Sequence, residues 1–401
     1  MNSDTAFSPL AGRKKIRLGI IGIGNMGSEH CRNIVQNKCP ETELVAVADP
    51  REDRLAWAAE NLPAGICRYP SGQELIARDD CDAVLIAVPH PLHPDLAVQA
   101  LRAGKHVLCE KPMAIAASEA ERMLSVSREC GKTLALMFNQ RTNCIYRAAR
   151  EELASGRLGA LKRVIWIVTD WYRTQMYYDS GAWRATWAGE GGGVLLNQCP
   201  HQLDLLIWLC GIPVSVSSHC AEGKWHHIEV EDDVSAFMEF ENGATGVFIT
   251  STGDLPGTNR LEIDCENGKL ICEDNRIRCI RLSENERKAC FESGNPWYRD
   301  PGTEVQLPLD GQNPQHVGVV NAFAAHLLRG EPLVADAEDG KRAIQLSNAI
   351  HLSSWTGQAV RLPVDEGLFN RLLSDRIAHS RLKDVPFRTF ETSHQETGAM
   401  K

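Results

Sequence analysis

From Ile16 to Asn139 the chain alternates short β-branched or apolar runs with longer segments of helical period, the pattern of successive strand–helix–strand units. Ile16 to Ile21, Glu43 to Ala48, Ala83 to Ala87, His106 to Cys109 and Thr133 to Phe138 read as strands. Met26 to Gln36, Arg51 to Asn61, Pro94 to Ala103 and Ser118 to Cys130 read as the helices between them, each long enough for a right-handed crossover. A doubly wound α/β domain with a parallel sheet is therefore expected over residues 15–140.

After Arg141 the pattern changes. A helix around Ile145 to Ala154 is followed by long strands joined through tight turns, of which Asn242-Gly243 and Glu266-Asn-Gly268 are the clearest hairpin signals. Residues 141–378 are expected to form an α+β domain with a large, mainly antiparallel open sheet. Helices at Val194 to Leu209, His316 to Arg329 and Glu338 to Trp355 would cover one face of it. Val234 to Phe240 and Ala244 to Thr250 are apolar at alternate positions, so the other face calls for a cover, and a homodimer or homotetramer is expected. The ends, 1–14 and 379–401, are polar and unpatterned and read as flexible tails.

Composition narrows the partners. A chain of 401 residues, 43% hydrophobic and 24% charged, has ample apolar surface for one large or two medium domains. A net charge of −9 disfavours nucleic acid and anionic membrane surfaces. No apolar run approaches the roughly 18 residues of a membrane span, and Met1 to Lys15 holds no apolar leader core, so a cytoplasmic protein is expected. The 14 cysteines lie scattered in apolar runs with no Cys-x-x-Cys pair, which reads as reduced core thiols. Cys265, Cys272 and Cys279 lack nearby histidines at zinc-site spacing, so no metal is expected.

Gly22-Ile-Gly24-Asn25-Met26-Gly27 directly follows the first strand and opens a helix, the setting of a dinucleotide-binding turn in a Rossmann domain. Gly22 permits the tight turn, Gly24 lets backbone approach a pyrophosphate, and Gly27 allows close helix packing. Asp49 ends the second strand, 22 residues after Gly27, where a carboxylate accepts from the adenosine ribose hydroxyls. It also repels a 2′-phosphate, so NAD is expected over NADP, with Arg51 and Arg54 nearby to soften that repulsion.

With Pro89-His-Pro-Leu-His93, Glu110-Lys111-Pro112 and Gly191-Gly-Gly-Val-Leu-Leu-Asn197-Gln-Cys-Pro-His201-Gln-Leu-Asp204 in this order, the chain from Ile16 to about Val364 resembles the Gfo/Idh/MocA oxidoreductases. The resemblance implies an NAD(P)-dependent enzyme acting on CH–OH groups, with Lys111 against the substrate hydroxyl, a commonly cis Lys-Pro bond, and His201 as the base. It also implies cofactor contacts from Pro89, His93, Glu110 and Lys111. Read from the residues alone, Lys111 stands at the carboxyl end of a parallel strand, where such sheets bind ligands. His201 shares a helix face with Asp204 and Asn197, and an imidazole is suited to take a proton near neutral pH. The family's commonest pattern has Asp where this chain has Asn197, which either binds a substrate hydroxyl or caps the helix.

Seven aromatics lie between Trp166 and Trp187. Trp166, inside an apolar strand, reads as core; Tyr172, Tyr178, Trp183 and Arg184, in an irregular loop, read as a substrate site suited to the C–H faces of a sugar ring. Asp204 and Asn197 join this set, and His316 is a further pocket candidate. Asn197 and Gln202 favour hydroxyls over anions, and only Arg184, with Arg141 and Arg173 behind it, is placed for a carboxylate. The expected activity is oxidation of a secondary hydroxyl of a sugar, glycoside or cyclic polyol, favouring C3 of a glucose-like ring. Two alternatives on the same fold are an NAD-retaining glycosidase that oxidises C3 transiently and a non-catalytic NAD-sensing regulator.

Overall fold

The computed structural model describes residue 10 and residues 12–385. The first sheet contains β1 (Ile16–Ile21), β2 (Thr42–Ala48), β3 (Cys67–Tyr69), β4 (Ala83–Ile86), β5 (His106–Cys109) and β6 (Leu134–Leu136), all parallel, in the order β3-β2-β1-β4-β5-β6. Helices α1 (Asn25–Val35), α2 (Glu52–Asn61), α3 (Gly72–Ile76), α4 (His93–Arg102) and α5 (Ala117–Cys130) make the crossovers. Every residue of β4 and β5 is buried, which is why these strands read as continuous apolar runs. β3 and α3 were not foreseen, because Cys67–Tyr69 is half exposed around Arg68 and forms no apolar run. The last strand is shorter than the expected Thr133 to Phe138. The strand order reverses between β1 and β4, so the loops that leave them diverge and open a crevice at the carboxyl ends.

The second half holds α6 (Cys144–Ala154), β7 (Leu161–Val168), α7 (Gln175–Tyr178), α8 (Pro200–Cys210), β8 (Ser215–Glu222), β9 (Glu231–Glu239), β10 (Thr245–Ser251), β11 (Asn259–Cys265), β12 (Gly268–Glu273), β13 (Arg276–Arg281), α9 (Glu286–Glu292) and β14 (Thr303–Val305). It ends with α10 (Gln315–Arg329), α11 (Ala337–Thr356), β15 (Val360–Arg361) and α12 (Glu366–His379). Nine strands form one sheet, β14-β13-β12-β11-β7-β10-β9-β8-β15, antiparallel except for the β7–β10 pair. Asn242-Gly243 makes the β9–β10 turn with Gly243 at φ +82°, where a residue with a side chain is strained. Val164, Trp166 and Val168 of β7 face the buried side, where α11 packs on β8 and α8 packs on α11.

Two expectations change here. α10 does not cover the second sheet: its stripe Val319, Val320, Phe323, Ala324 and Leu327 packs with Ile16, Leu18 and Ile20 under the first sheet. An apolar stripe at helical spacing does not specify which sheet it covers, so the chain returns to its first domain after leaving it. The helix expected from Val194 begins only at Pro200, since Gly191 to Cys199 runs in tight turns.

The described part of the expected C-terminal tail is docked. Lys383 N–H donates to Ala182 O at 3.1 Å, Arg381 N–H to Glu229 Oε1 at 2.8 Å, and the Lys383 ammonium to Tyr178 O at 3.0 Å. Residues 386–401, and 1–9 and 11 of the N-terminal tail, lie outside the described residues. Among the described residues no helix is long and apolar enough to cross a membrane.

Candidate active site

A cavity of about 730 Å³ runs from the glycine turn after β1, past the end of β5 and the start of α8, to the loop after β7. Gly22 has φ +87°. A Cβ on Gly27 would lie 1.9 Å from Gly22 O, so the third glycine lets α1 close onto the turn. A Cβ on Gly24 would meet nothing within 4 Å; this glycine leaves bare backbone facing the cavity beside the α1 N-terminus, the arrangement that binds a pyrophosphate. Asn25, Met26, Pro89 and Asp49 line the same end. Asp49 Oδ2 accepts from Ile23 N–H at 2.9 Å and Oδ1 from Arg51 N–H at 3.0 Å, so the carboxylate that ends β2 also fixes the turn. These residues fit a dinucleotide.

Lys111 follows β5, and the Lys111–Pro112 bond is cis. Its Nζ donates to Asn197 O at 2.8 Å. Burial lowers the lysine from its ordinary range, while Glu110 and Glu190 oppose that shift. His201 stands in the first turn of α8, with Pro200 ahead of it where a missing N–H is harmless. It is 4% exposed, and burial, helped by the charges of Lys111 and His316, pushes the imidazole well below its ordinary value, so it is neutral. Glu110 lines the cavity with Oε1 2.8 Å from His30 Nε2; burial opposes its charge, but the His30 bond prevails and the carboxyl is held at about 2. His316 joins this cluster edge-on to His30, and burial pushes it down to about 4.

Asn197 is not the helix cap; that position belongs to Cys199. Its side-chain amide donates to Glu190 Oε1, and Glu190 Oε2 accepts from Ala185 N–H at 2.5 Å. Glu190 is 1% exposed, and burial raises its carboxyl to about 7. It was invisible in sequence because a Glu beside three glycines carries no periodic signal. Glu231, the first residue of β9, was missed because its partners lie far away in the chain: its carboxylate accepts from Gly193 N–H at 2.9 Å and Leu195 N–H at 3.1 Å, and so shapes the turns that deliver Asn197 and His201.

Three expected ligand contacts point elsewhere. His93 is fully buried, its nitrogens 2.8 Å from Pro112 O and Val88 O, so it braces the loop around Lys111 and does not face the cavity. Asp204 is taken by Arg141, whose Nε and Nη2 donate at 2.8 and 2.6 Å, while Nη1 donates to Asp339 Oδ2 at 2.8 Å. Tyr178 is buried with its hydroxyl 2.7 Å from Thr252 Oγ1, and its neighbour Tyr177 lines the cavity instead. Helical neighbours point to different sides, and a four-residue helix gave no sequence signal to choose between them. Tyr172, Trp183, Arg184, Asn197 and His316 do line the cavity, joined by Trp171, Arg173 and Gln198; Gln202 does not.

A nucleotide turn and a lysine–histidine pair in one cavity, across a doubly wound domain and an α+β domain, define a nicotinamide-dependent dehydrogenase. Residues 16–138 match the oxidoreductase family with an NAD-binding Rossmann fold, and residues 146–271 match the Gfo/Idh/MocA C-terminal domain. The chain belongs to the Gfo/Idh/MocA family, and is an oxidoreductase acting on CH–OH groups. It is 28% identical to the D-glucoside 3-dehydrogenase of Escherichia coli K12, over 90% of this chain and 100% of the relative. It is 25% identical to the myo-inositol 2-dehydrogenase of Thermotoga maritima, over 86% and 98%. The WlbA dehydrogenase from Bordetella pertussis, solved with NADH and UDP-GlcNAcA, superposes with a TM-score of 0.74 at 27% identity, covering 88% of this chain and 100% of that one.

Proposed function

We propose that the protein oxidises a secondary hydroxyl of a sugar, glycoside or cyclic polyol with NAD, at C3 of a glucose-like ring. The observation that carries this reading is the placement of Lys111 and a neutral His201 in the same cavity as the bare Gly24 turn. NAD over NADP is supported by the Asp49 carboxylate, since Arg51 is bonded to Asp53 and Arg54 to Ile23 O and Ser28 Oγ, which leaves neither committed to a 2′-phosphate. C3 is supported by the kinship with a D-glucoside 3-dehydrogenase and by the ring-stacking surfaces of Trp183 and Tyr172.

Gly24, the α1 N-terminus and Asp49 would hold the cofactor, and NAD supplies the hydride acceptor when bound. Lys111 donates a hydrogen bond to the substrate oxygen and stabilises the negative charge that develops there. His201, neutral in its buried site, accepts the hydroxyl proton. Asn197 and Pro112 fix the lysine on both sides, so its ammonium is oriented before substrate arrives. Apolar alternation on the open face of the second sheet supports a homodimer through that face.

Lys111→Ala and His201→Ala should each lower kcat by about 10²-fold or more while NAD affinity, read by nucleotide fluorescence, stays within a few-fold of the parent. Wild-type rates of NAD reduction in both variants would remove the assignment. A screen of inositols, hexoses, glucosides and disaccharides at 340 nm, with NMR of the product, locates the ketone. Net NADH formation also separates this reading from an NAD-retaining glycosidase.

A further inference from the structure

Resting on the dehydrogenase reading above, we propose that the substrate carries an anionic group, a carboxylate or a phosphate ester, and that Arg173 and Arg184 bind it. Both arginines line the cavity, and among the described residues neither has a carboxylate partner. The arginines at the nucleotide end differ: Arg51 pairs with Asp53, and Arg54 is spent on Ile23 O and Ser28 Oγ.

The two guanidiniums are built in. Arg173 lies 5.5 Å from the Trp171 ring centre and 5.0 Å from that of Tyr177; Arg184 lies 4.6 Å from those of Tyr177 and Trp183. One tyrosine ring thus carries both charges, which places them in a single subsite. The backbone of Arg173 is pinned on each side, its N–H donating to Thr252 O at 2.9 Å and its carbonyl 2.8 Å from His226 Nε2. Among the described residues its buried side-chain Nε has no acceptor, and a buried charged donor left without one is costly unless a ligand supplies it.

The remaining hydrogen-bonding groups are also arranged to donate. Arg184 Nη1 and Gln198 Nε2 both donate to the Tyr177 hydroxyl oxygen, at 3.0 and 3.4 Å. With its acceptor capacity used, the phenol has its own proton left to give. The lining carboxylates are Asp49 at the nucleotide end and Glu110, held by His30. Beyond Glu110, the substrate half presents Lys111, Arg173 and Arg184 with no further carboxylate among the described lining residues, in a chain whose net charge is −9.

With a neutral sugar the two guanidiniums stay outside any ion pair among the described residues, whereas an anionic substituent is matched by a planar fork of donors from each arginine. It would also offset the two guanidiniums that push Lys111 down and so favour the ammonium the reaction needs. This reading departs from the expectation of a neutral-binding pocket: Gln202 is outside it, the Asn197 amide is engaged by Glu190, and Arg141 is engaged by Asp204 and Asp339.

The test compares methyl β-D-glucoside, methyl β-D-glucuronide, glucose 1-phosphate and UDP-glucose as probes of the purified, NAD-loaded protein. Calorimetric titration reads binding and 340 nm absorbance reads turnover, in the parent and in Arg173→Gln and Arg184→Gln. At least one anionic probe should bind about tenfold more tightly than the neutral glucoside, with an affinity that falls as salt rises. The anionic-to-neutral ratio should collapse toward one in both variants. A glucuronide preference identifies a carboxylate, and a preference for glucose 1-phosphate or UDP-glucose identifies a phosphate. Neutral glucoside binding as well as every anionic probe, or a ratio unchanged by both substitutions, would overturn the proposal. Because binding is read without turnover, anion binding with no NAD reduction would count against the dehydrogenase reading alone.

Discussion

Glu190 lies seven residues before Asn197, its carboxyl bonded to that asparagine's amide, and its charge favours the Lys111 ammonium. Burial lifts its folded value to about 7 from an ordinary 4.5, so the folded protein holds a proton that the unfolded chain has lost between those values. Stability contributed by this group therefore falls as pH rises through that window. Glu190→Gln should be more stable than the parent at pH 8 by up to about 3 kcal/mol, with little difference at pH 4. The same change removes a negative charge that favours the Lys111 ammonium, so the alkaline limb of the kcat/KM profile should move to lower pH. A pH-independent difference in Tm together with an unmoved limb would show that Glu190 is merely packed there.

Among the elements, α10 is the one whose place in the fold was least legible. Its apolar stripe is clear in sequence, yet only the packed structure shows that Phe323, 1% exposed, completes the core of the first sheet. Phe323→Ala should cost about 3–5 kcal/mol in denaturant unfolding and should loosen β1 and β2 before the second sheet, as read by amide hydrogen exchange. Protection lost first in β9 and β10 would contradict that assignment. The turns before α8 have a similar origin: the glycines at 191–193 are plain in sequence, but a Cβ on Gly193 would lie 2.0 Å from Glu231 O, and nothing local announces that approach.

At the scale of the molecule, Arg141, where the chain leaves the first sheet, is bonded to Asp204 of α8 and Asp339 of α11. Burial opposes its charge, and the two carboxylates outweigh that and raise the guanidinium above its ordinary value. Asn348 of α11 adds a second tie, donating to Ile115 O and accepting from Ala117 N–H, both at 2.9 Å. The face of the second sheet turned away from the helices holds Phe237, 44% exposed, with half-buried Ile165, Ile167, Val247 and Ile249 beside it. Such a patch fits a second copy of the chain. Phe237→Glu should lower the mass seen by light scattering toward the 44.3 kDa of one chain, while the parent gives at least twice that. A parent mass of one chain at all concentrations would exclude the dimer.

Legible in the amino-acid order were the alternating half, the dinucleotide turn with Asp49, the hairpins at Asn242-Gly243 and Asn267-Gly268, and the presence of Lys111 and His201 in one cavity. Each rests on local order: a period of two or 3.6, a glycine that permits a turn, or a resemblance carried by motifs in series. The rest followed from packing. It turned Tyr177 and not Tyr178 to the cavity, drew Asp204 and His93 away from it, placed Glu190 against Asn197, and, among the described residues, left Arg173 and Arg184 outside any ion pair. Those outcomes depend on which polar groups meet across long separations in the chain, and a buried charge takes whatever partner the packing brings within hydrogen-bond reach.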